Sequence, residues 1–148
     1  MKFEHVSVMP EEVIENFNLR PGKIYVDCTL GGAGHAEKIL QKTSPDGYLI
    51  GIDQDKDAIK NAENALSDYE GRFSLVHDNY VNLPAILEKM DISGVDGILL
   101  DLGISLHQLR AAGRGFSFRS TDPLDMRMNR DNPVTAGNLV NQLVEKEL

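Results

Sequence analysis

A single cysteine, Cys28, excludes any disulfide within the chain, and its place in the mostly apolar run Ile24–Leu30 reads as core packing rather than nucleophilic chemistry. No group of cysteines and histidines has metal-ligand spacing, so no metal site, and in particular no structural zinc, is expected. No run approaches the roughly 18–20 apolar residues that cross a bilayer. The opening MKFEHVSVMPEE lacks the basic-then-apolar order of a secretory signal. The expectation is a cytoplasmic protein with no membrane partner. Basic residues are scarce: 15 Lys and Arg against 23 Asp and Glu give a net charge of −8, which argues against a generic nucleic-acid coat. The Gly-Lys-Ser/Thr of a phosphate-binding loop is missing. Internal repeats and low-complexity tracts are missing too.

What is present suffices for one core: 148 residues, 41% of them hydrophobic. The charge is unevenly spread. Residues 1–104 carry 9 basic and 18 acidic side chains, whereas Ser105–Arg130 carries five arginines (Arg110, Arg114, Arg119, Arg127, Arg130) against Asp122 and Asp125. A net +3 stretch in an acidic chain suits a face turned toward an anionic partner.

A helix opens at Pro10 (PEEVIENFN). Short β-forming runs then alternate with helical spacing: a strand over Ile24–Thr29, a helix from Gly34 to Lys42, a strand over Tyr48–Asp53 and a helix over Lys56–Leu66. A strand over Arg72–His77, a helix over Leu83–Met90 and a strand over Gly97–Asp101 complete the series. This alternation predicts an α/β fold with a parallel sheet. Beyond Asp101 the composition turns to Gly, Ser, Arg, Asp and Pro until Thr135 caps a further helix, in which the chain is expected to stop. The reading is therefore of two parts, 1–104 and 105–148, the second cut short; a naturally short protein that completes its core on another chain is the alternative. Self-association through an unfinished sheet is a further expectation.

Ligands of an open parallel sheet bind outside the carboxyl ends of its strands, so the residues there decide the ligand. Gly31, Gly32 and Gly34 allow a tight turn and close backbone approach. Asp53, 19 residues past Gly34, is placed to accept ribose hydroxyls, with a helix cap as its other reading. Asp27 is either part of the site or a network member that holds the glycine turn. Tyr80 can lie flat on an adenine or pack as an ordinary aromatic, and His35 can offer its backbone N–H or be structural. Asp27, Asp53, Asp78 and Asp101 at four successive strand ends suit a ligand carrying a sulfonium and an ammonium group, whereas a dinucleotide pyrophosphate gains nothing from them. The acidic rim favours S-adenosylmethionine over NAD.

The segments DCTLGGAGHAEKIL, GIDQDKDAI, DGILLDLGIS, RGFSFR and DPLDMRM, with the opening HVSVMPEEV, resemble the bacterial 16S ribosomal RNA cytosine-N4 methyltransferase family over about His5 to Asn141. The resemblance implies a Rossmann-like class I S-adenosylmethionine-dependent methyltransferase sheet, incomplete here, followed by the start of a helical substrate domain. It implies cofactor contacts at Ala33, Gly34, His35, Asp53, Tyr80, Asp101 and Gln108, and 16S ribosomal RNA or the small ribosomal subunit as partner. Family members run to roughly twice this length, so the chain by itself is expected to be inactive. Where the family usually has a second serine and a proline after Ser105, this sequence has Leu106 and His107, while Gln108 and Leu109 keep their places.

The exocyclic amine of cytosine is a weak nucleophile, so the site must accept its hydrogen bonds and align it with the S–CH3 bond. Asp101 and the Leu102–Ser105 turn, Ser105 included, are the catalytic candidates. Arg114, Phe116, Phe118 and Arg119 are the RNA-binding candidates, through base stacking and phosphate pairing. In the competing reading the phenylalanines pack the loop while the arginines pair with Asp122 and Asp125. Two other functions stay open at this point: an NAD-dependent oxidoreductase, and a non-catalytic adenosine-ligand-binding or interaction module.

Overall fold

A computed structural model describes residues 7–147. His5 and Val6 of the opening segment and the terminal Leu148 lie outside the described residues. The chain divides into two compact units, Met1–Gly103 and Ile104–Leu148.

In the first unit, α1 (Pro10–Asn16), β1 (Ile24–Asp27), α2 (Gly34–Lys42), β2 (Tyr48–Asp53), α3 (Lys56–Ala65), β3 (Phe73–His77), α4 (Leu83–Lys89) and β4 (Gly97–Leu99) follow one another. The strands form one parallel sheet in the order β3-β2-β1-β4. Because side chains alternate across a strand, neighbouring residues enter opposite faces. Tyr25 and Leu49 join one core with Ala36, Ile39 and Leu40 of α2 and Ala62 of α3. Val26, Ile50 and Ile52 join the other with Ile86 of α4. Cys28 lies in this second core, as its sequence context predicts, and burial pushes its thiol up to about 11. With both faces covered, the strands need no polar face, which explains their continuous apolar runs. Truncating a fully buried residue such as Ile50 to alanine costs about 2–5 kcal/mol.

Local chemistry sets the boundaries. Asp55, not Asp53, caps α3, accepting the Asp57 N–H at 3.0 Å. Strands β1 and β4 end earlier than the sequence suggests, at Asp27 and Leu99, because their main chains part there. The last main-chain bond between them runs from Cys28 N–H to the Leu99 carbonyl, 2.9 Å.

The second unit holds α5 (Leu106–Arg110) and α6 (Ala136–Gln142). Helix α5 is absent from the sequence reading: at five residues it is too short for periodicity to reveal. Helix α6 starts at the expected Thr135, whose hydroxyl accepts the Asn138 N–H at 3.1 Å. The expectation that the chain stops inside this helix is corrected. It ends at Gln142, Leu143 is extended, and Glu145–Glu147 forms a separate 3-10 turn.

Candidate active site

In the order β3-β2-β1-β4 the winding reverses between β1 and β4, and the crevice at their carboxyl ends is where an open α/β sheet takes its ligand. Asp27 ends β1 and is 1% exposed. Its Oδ1 accepts the Thr29 N–H at 3.0 Å and the Thr29 hydroxyl at 3.4 Å, and its buried Oδ2 has no hydrogen-bond partner among the described residues. Burial raises its pKa to about 7; the charges of Asp53 and Asp101 push the same way, against the two bonds from Thr29. The charges of Asp53, at the end of β2, and of Asp101, two residues past β4, thus both reach Asp27 at this edge.

The turn after β1 passes through left-handed backbone at Gly31 and again at Ala33, which is buried and opens α2 without a side-chain cap. Gly34 has a nearer neighbour than any ligand: a Cβ there would lie 2.4 Å from Ser7 Oγ, so its close approach is to the segment before α1. Beside it, the buried His35 does more than present its backbone, because its Nε2 lies 3.7 Å from Asp101 Oδ2.

Asp53 receives the Gly31 N–H on Oδ2 and the Asp55 N–H on Oδ1, each at 2.9 Å, while burial raises its pKa. An ionised carboxylate offers about four lone-pair sites, more than these backbone donors fill, which leaves acceptor capacity for a hydroxyl. At the end of β3, Asp78 accepts the Asn79 N–H and the Asn82 side chain at 2.7 and 2.8 Å, and these bonds lower its pKa. Tyr80 packs against the α4-side core. Sequence reasoning missed Gln54, whose Oε1 accepts from Asn79 Nδ2 at 3.1 Å and whose carbonyl lies 2.9 Å from His77 Nε2. It ties the ends of β2 and β3 together; an isolated glutamine carries no signal of that.

In the second unit, Ser105 and Gln108 are both buried and cap α5 reciprocally. Ser105 Oγ accepts the Gln108 N–H at 3.1 Å, and Gln108 Oε1 accepts the Ser105 N–H at 3.0 Å. The structure thus gives each a local duty beyond the contact assigned from sequence. RGFSFR and DPLDMRM are also two halves of one knot. Buried Arg114 donates to the carbonyls of Arg127 and Met128 at 3.2 and 3.3 Å, and its guanidinium lies 5.8 Å from the Phe116 ring. Its own carbonyl accepts the Met126 N–H. Gly115 has a φ of +70°, and a Cβ there would come within 2.4 Å of the Pro123 carbonyl, so no other residue fits. Arg127 forks onto Asp125 at 2.9 and 2.7 Å, which holds the Asp125 pKa down to about 2. In the competing sequence reading Arg114 and Arg119 pair with Asp122 and Asp125; Asp125 pairs instead with Arg127, and Arg114 is turned onto the loop's own backbone. Phe118 differs: it is 94% exposed, with Arg119 5.8 Å from its ring.

This sheet order, with carboxylates at its switch point, is that of a Rossmann-like α/β fold. Two solved structures share it: NSun6 from Pyrococcus horikoshii with SFG, 22% identical with a TM-score of 0.53 over 70% of this chain and 26% of that one, and the C-terminal domain of precorrin-6Y C5,15-methyltransferase from Rhodobacter capsulatus, 20% identical with a TM-score of 0.51 over 66% and 50%. The chain belongs to the MraW methylase family, whose pattern matches residues 2–148. It is similar along its whole length to proteins named ribosomal RNA small subunit methyltransferase H: 57% identical to that of Desulforapulum autotrophicum and 50% to that of Clostridioides difficile. It spans about half of these curated relatives, 47% and 48% of their lengths. Membership in a methylase family displaces the oxidoreductase alternative and makes S-adenosylmethionine the cofactor. The crevice fits that cofactor: a carboxylate with an unused oxygen, raised in pKa chiefly by burial and further by the charges of Asp53 and Asp101, is an electrostatic environment that a sulfonium and an ammonium group relieve.

Proposed function

We propose that this chain is the cofactor-binding part of an enzyme that methylates N4 of a cytidine in 16S ribosomal RNA, acting in the cytoplasm on the small ribosomal subunit or its RNA. The observation that carries the reading is the buried Asp27 carboxylate at the β1–β4 crevice, whose Oδ2 has no partner among the described residues, joined to the similarity to proteins named ribosomal RNA small subunit methyltransferase H. S-adenosylmethionine supplies an electrophilic methyl group on a sulfonium. Asp53 accepts the ribose hydroxyls on the lone pairs that Gly31 and Asp55 leave unused, Tyr80 offers its ring to the adenine, and the backbone of Ala33, Gly34 and His35 forms the floor. The family resemblance assigns a further cofactor contact to Gln108.

Asp101 is the catalytic candidate of the first unit, and Ser105 is the candidate carried by the turn that follows it. The carboxylate of Asp101 would accept hydrogen bonds from the cytosine amine, orienting its nitrogen toward the methyl donor that the crevice would hold, and would take up the proton that the methylated amine gives up. His35 Nε2 stands 3.7 Å from that carboxylate. A base outside a duplex is required to reach the site, and Phe118 with Arg119 supplies a stacking and phosphate contact for the neighbouring nucleotides, while Arg114 and Phe116 keep their loop in shape.

The test is to incubate the full-length protein with small-subunit RNA and methyl-labelled S-adenosylmethionine, then identify the labelled nucleoside by mass spectrometry. N4-methylcytidine is expected; label in any other nucleoside, or none, overturns the proposal.

A further inference from the structure

At the end of β1 the chain turns away into the glycine loop, so β1 can no longer offer main-chain carbonyls to β4. The rung after Cys28–Leu99 is nevertheless made. The Asp101 N–H donates to Thr29 Oγ1 at 2.8 Å, a side-chain oxygen standing where a strand carbonyl would otherwise be. The same hydroxyl has its hydrogen directed to Asp27 Oδ1 at 3.4 Å, and the Thr29 N–H donates to that oxygen at 3.0 Å. The Thr29 hydroxyl thus accepts one bond and donates one, and its rotamer is fixed from two sides. On the other flank the Asp53 carboxylate carries the equivalent rung, taking the Gly31 N–H. The crevice between β1 and β4 opens immediately beyond the Thr29 rung, and Asp101, the last residue it holds, is the one whose carboxylate faces His35 Nε2.

We propose that Thr29 is a positioning residue of the methyl-transfer site: oriented by the buried Asp27, its hydroxyl carries the final rung between β1 and β4 and fixes the backbone of Asp101. The inference rests on the methyltransferase reading above for the role of Asp101, but the rung itself does not. Threonine suits the task because its β-branched side chain is stiff at χ1, and valine has nearly the same shape without the acceptor.

The experiment compares Thr29→Val, Thr29→Ser, Asp101→Ala and Thr29→Val/Asp101→Ala in the full-length protein. Amide hydrogen exchange at Asp101 reads the rung, and calorimetric binding of S-adenosylhomocysteine together with kcat and KM of methyl transfer reads its consequence. Thr29→Val is expected to accelerate exchange at Asp101 and to lower kcat by about tenfold or more, the scale at which small misplacements of an orienting group act, with KM for RNA little changed. Thr29→Ser restores both. In the Asp101→Ala background the valine substitution has little further effect on kcat, because the side chain it would misplace is gone. Equal losses in the two backgrounds, or no loss of protection at Asp101, overturn the proposal. If the wild-type protein neither binds S-adenosylhomocysteine nor transfers a methyl group, the functional reading falls, and the catalytic role of Thr29 falls with it; if the wild type does both and Thr29→Val matches it, Thr29 alone is refuted.

Discussion

The Asp53 carboxylate accepts the Gly31 amide at 2.9 Å, across 22 residues of sequence. The residue expected to hold the ribose is thus also the staple that fixes the glycine turn against β2. Asp53→Ala should therefore do two things. Affinity for S-adenosylhomocysteine is expected to fall by roughly 1–3 kcal/mol, from the lost charged acceptor, and exchange at the Gly31 amide should accelerate even without ligand. Titration calorimetry and hydrogen exchange check the two parts separately; unchanged affinity in a folded variant removes Asp53 from the site.

Asp27 gives the protein a particular pH dependence. Its folded-state pKa of about 7 lies above the ordinary value of 3.8, so the folded chain keeps a proton that the unfolded chain releases between those values. Its contribution to stability is fully present below about pH 4 and is lost as the pH rises toward 7. The change in Tm produced by Asp27→Asn is expected to be more favourable at pH 8 than at pH 5. Identical changes at both values would mean that Asp27 is ionised throughout.

Cofactor binding should show the converse. A cationic ligand favours ionised Asp27, so affinity is expected to rise with pH through about 7 in the wild type, and Asp27→Asn should flatten the profile. Calorimetry from pH 6 to pH 8 decides it, a flat wild-type profile being the contrary result.

Phe118 and Arg114 should separate cleanly, although they lie four positions apart. Phe118→Ala removes a side chain that is 94% exposed, so Tm should hardly move while RNA affinity drops by about 1–3 kcal/mol, the value of one stacked base. Arg114→Ala leaves the carbonyls of Arg127 and Met128 without this donor and is expected to lower Tm and expose the 114–132 loop to protease. Retained RNA affinity in a folded Phe118→Ala variant would contradict the stacking role.

Residues 1–148 alone are expected to transfer no methyl group to RNA under conditions where the full-length protein does. The described sheet ends at β4, whose Ile98 is 45% exposed, followed by Leu100 at 46%. Such an edge favours self-association, so light scattering should show oligomers that Ile98→Lys reduces. Labelled-methyl incorporation by the 148-residue chain at a rate near that of the full-length protein would sink this prediction.

The sequence by itself determined the parallel sheet, because runs such as Leu49–Ile52 carry no polar side chain and are separated by helical spacing, a pattern that burial on both faces satisfies. It also marked the strand-end carboxylates, since the residue closing a strand is visible in one dimension. Which of those residues meet was decided only by tertiary structure. The Thr29–Asp101 rung spans 72 residues, the Gly31–Asp53 staple 22, and the Gln54–Asn79 tie 25. No local periodicity encodes such pairings; they exist because the order β3-β2-β1-β4 brings distant strand ends side by side. The two arginine-rich motifs teach the same lesson. Their composition suggested a common surface, yet burial turned Arg114 inward onto backbone carbonyls and left Phe118 outside, a division set by the fold of the loop rather than by the chemistry of its residues.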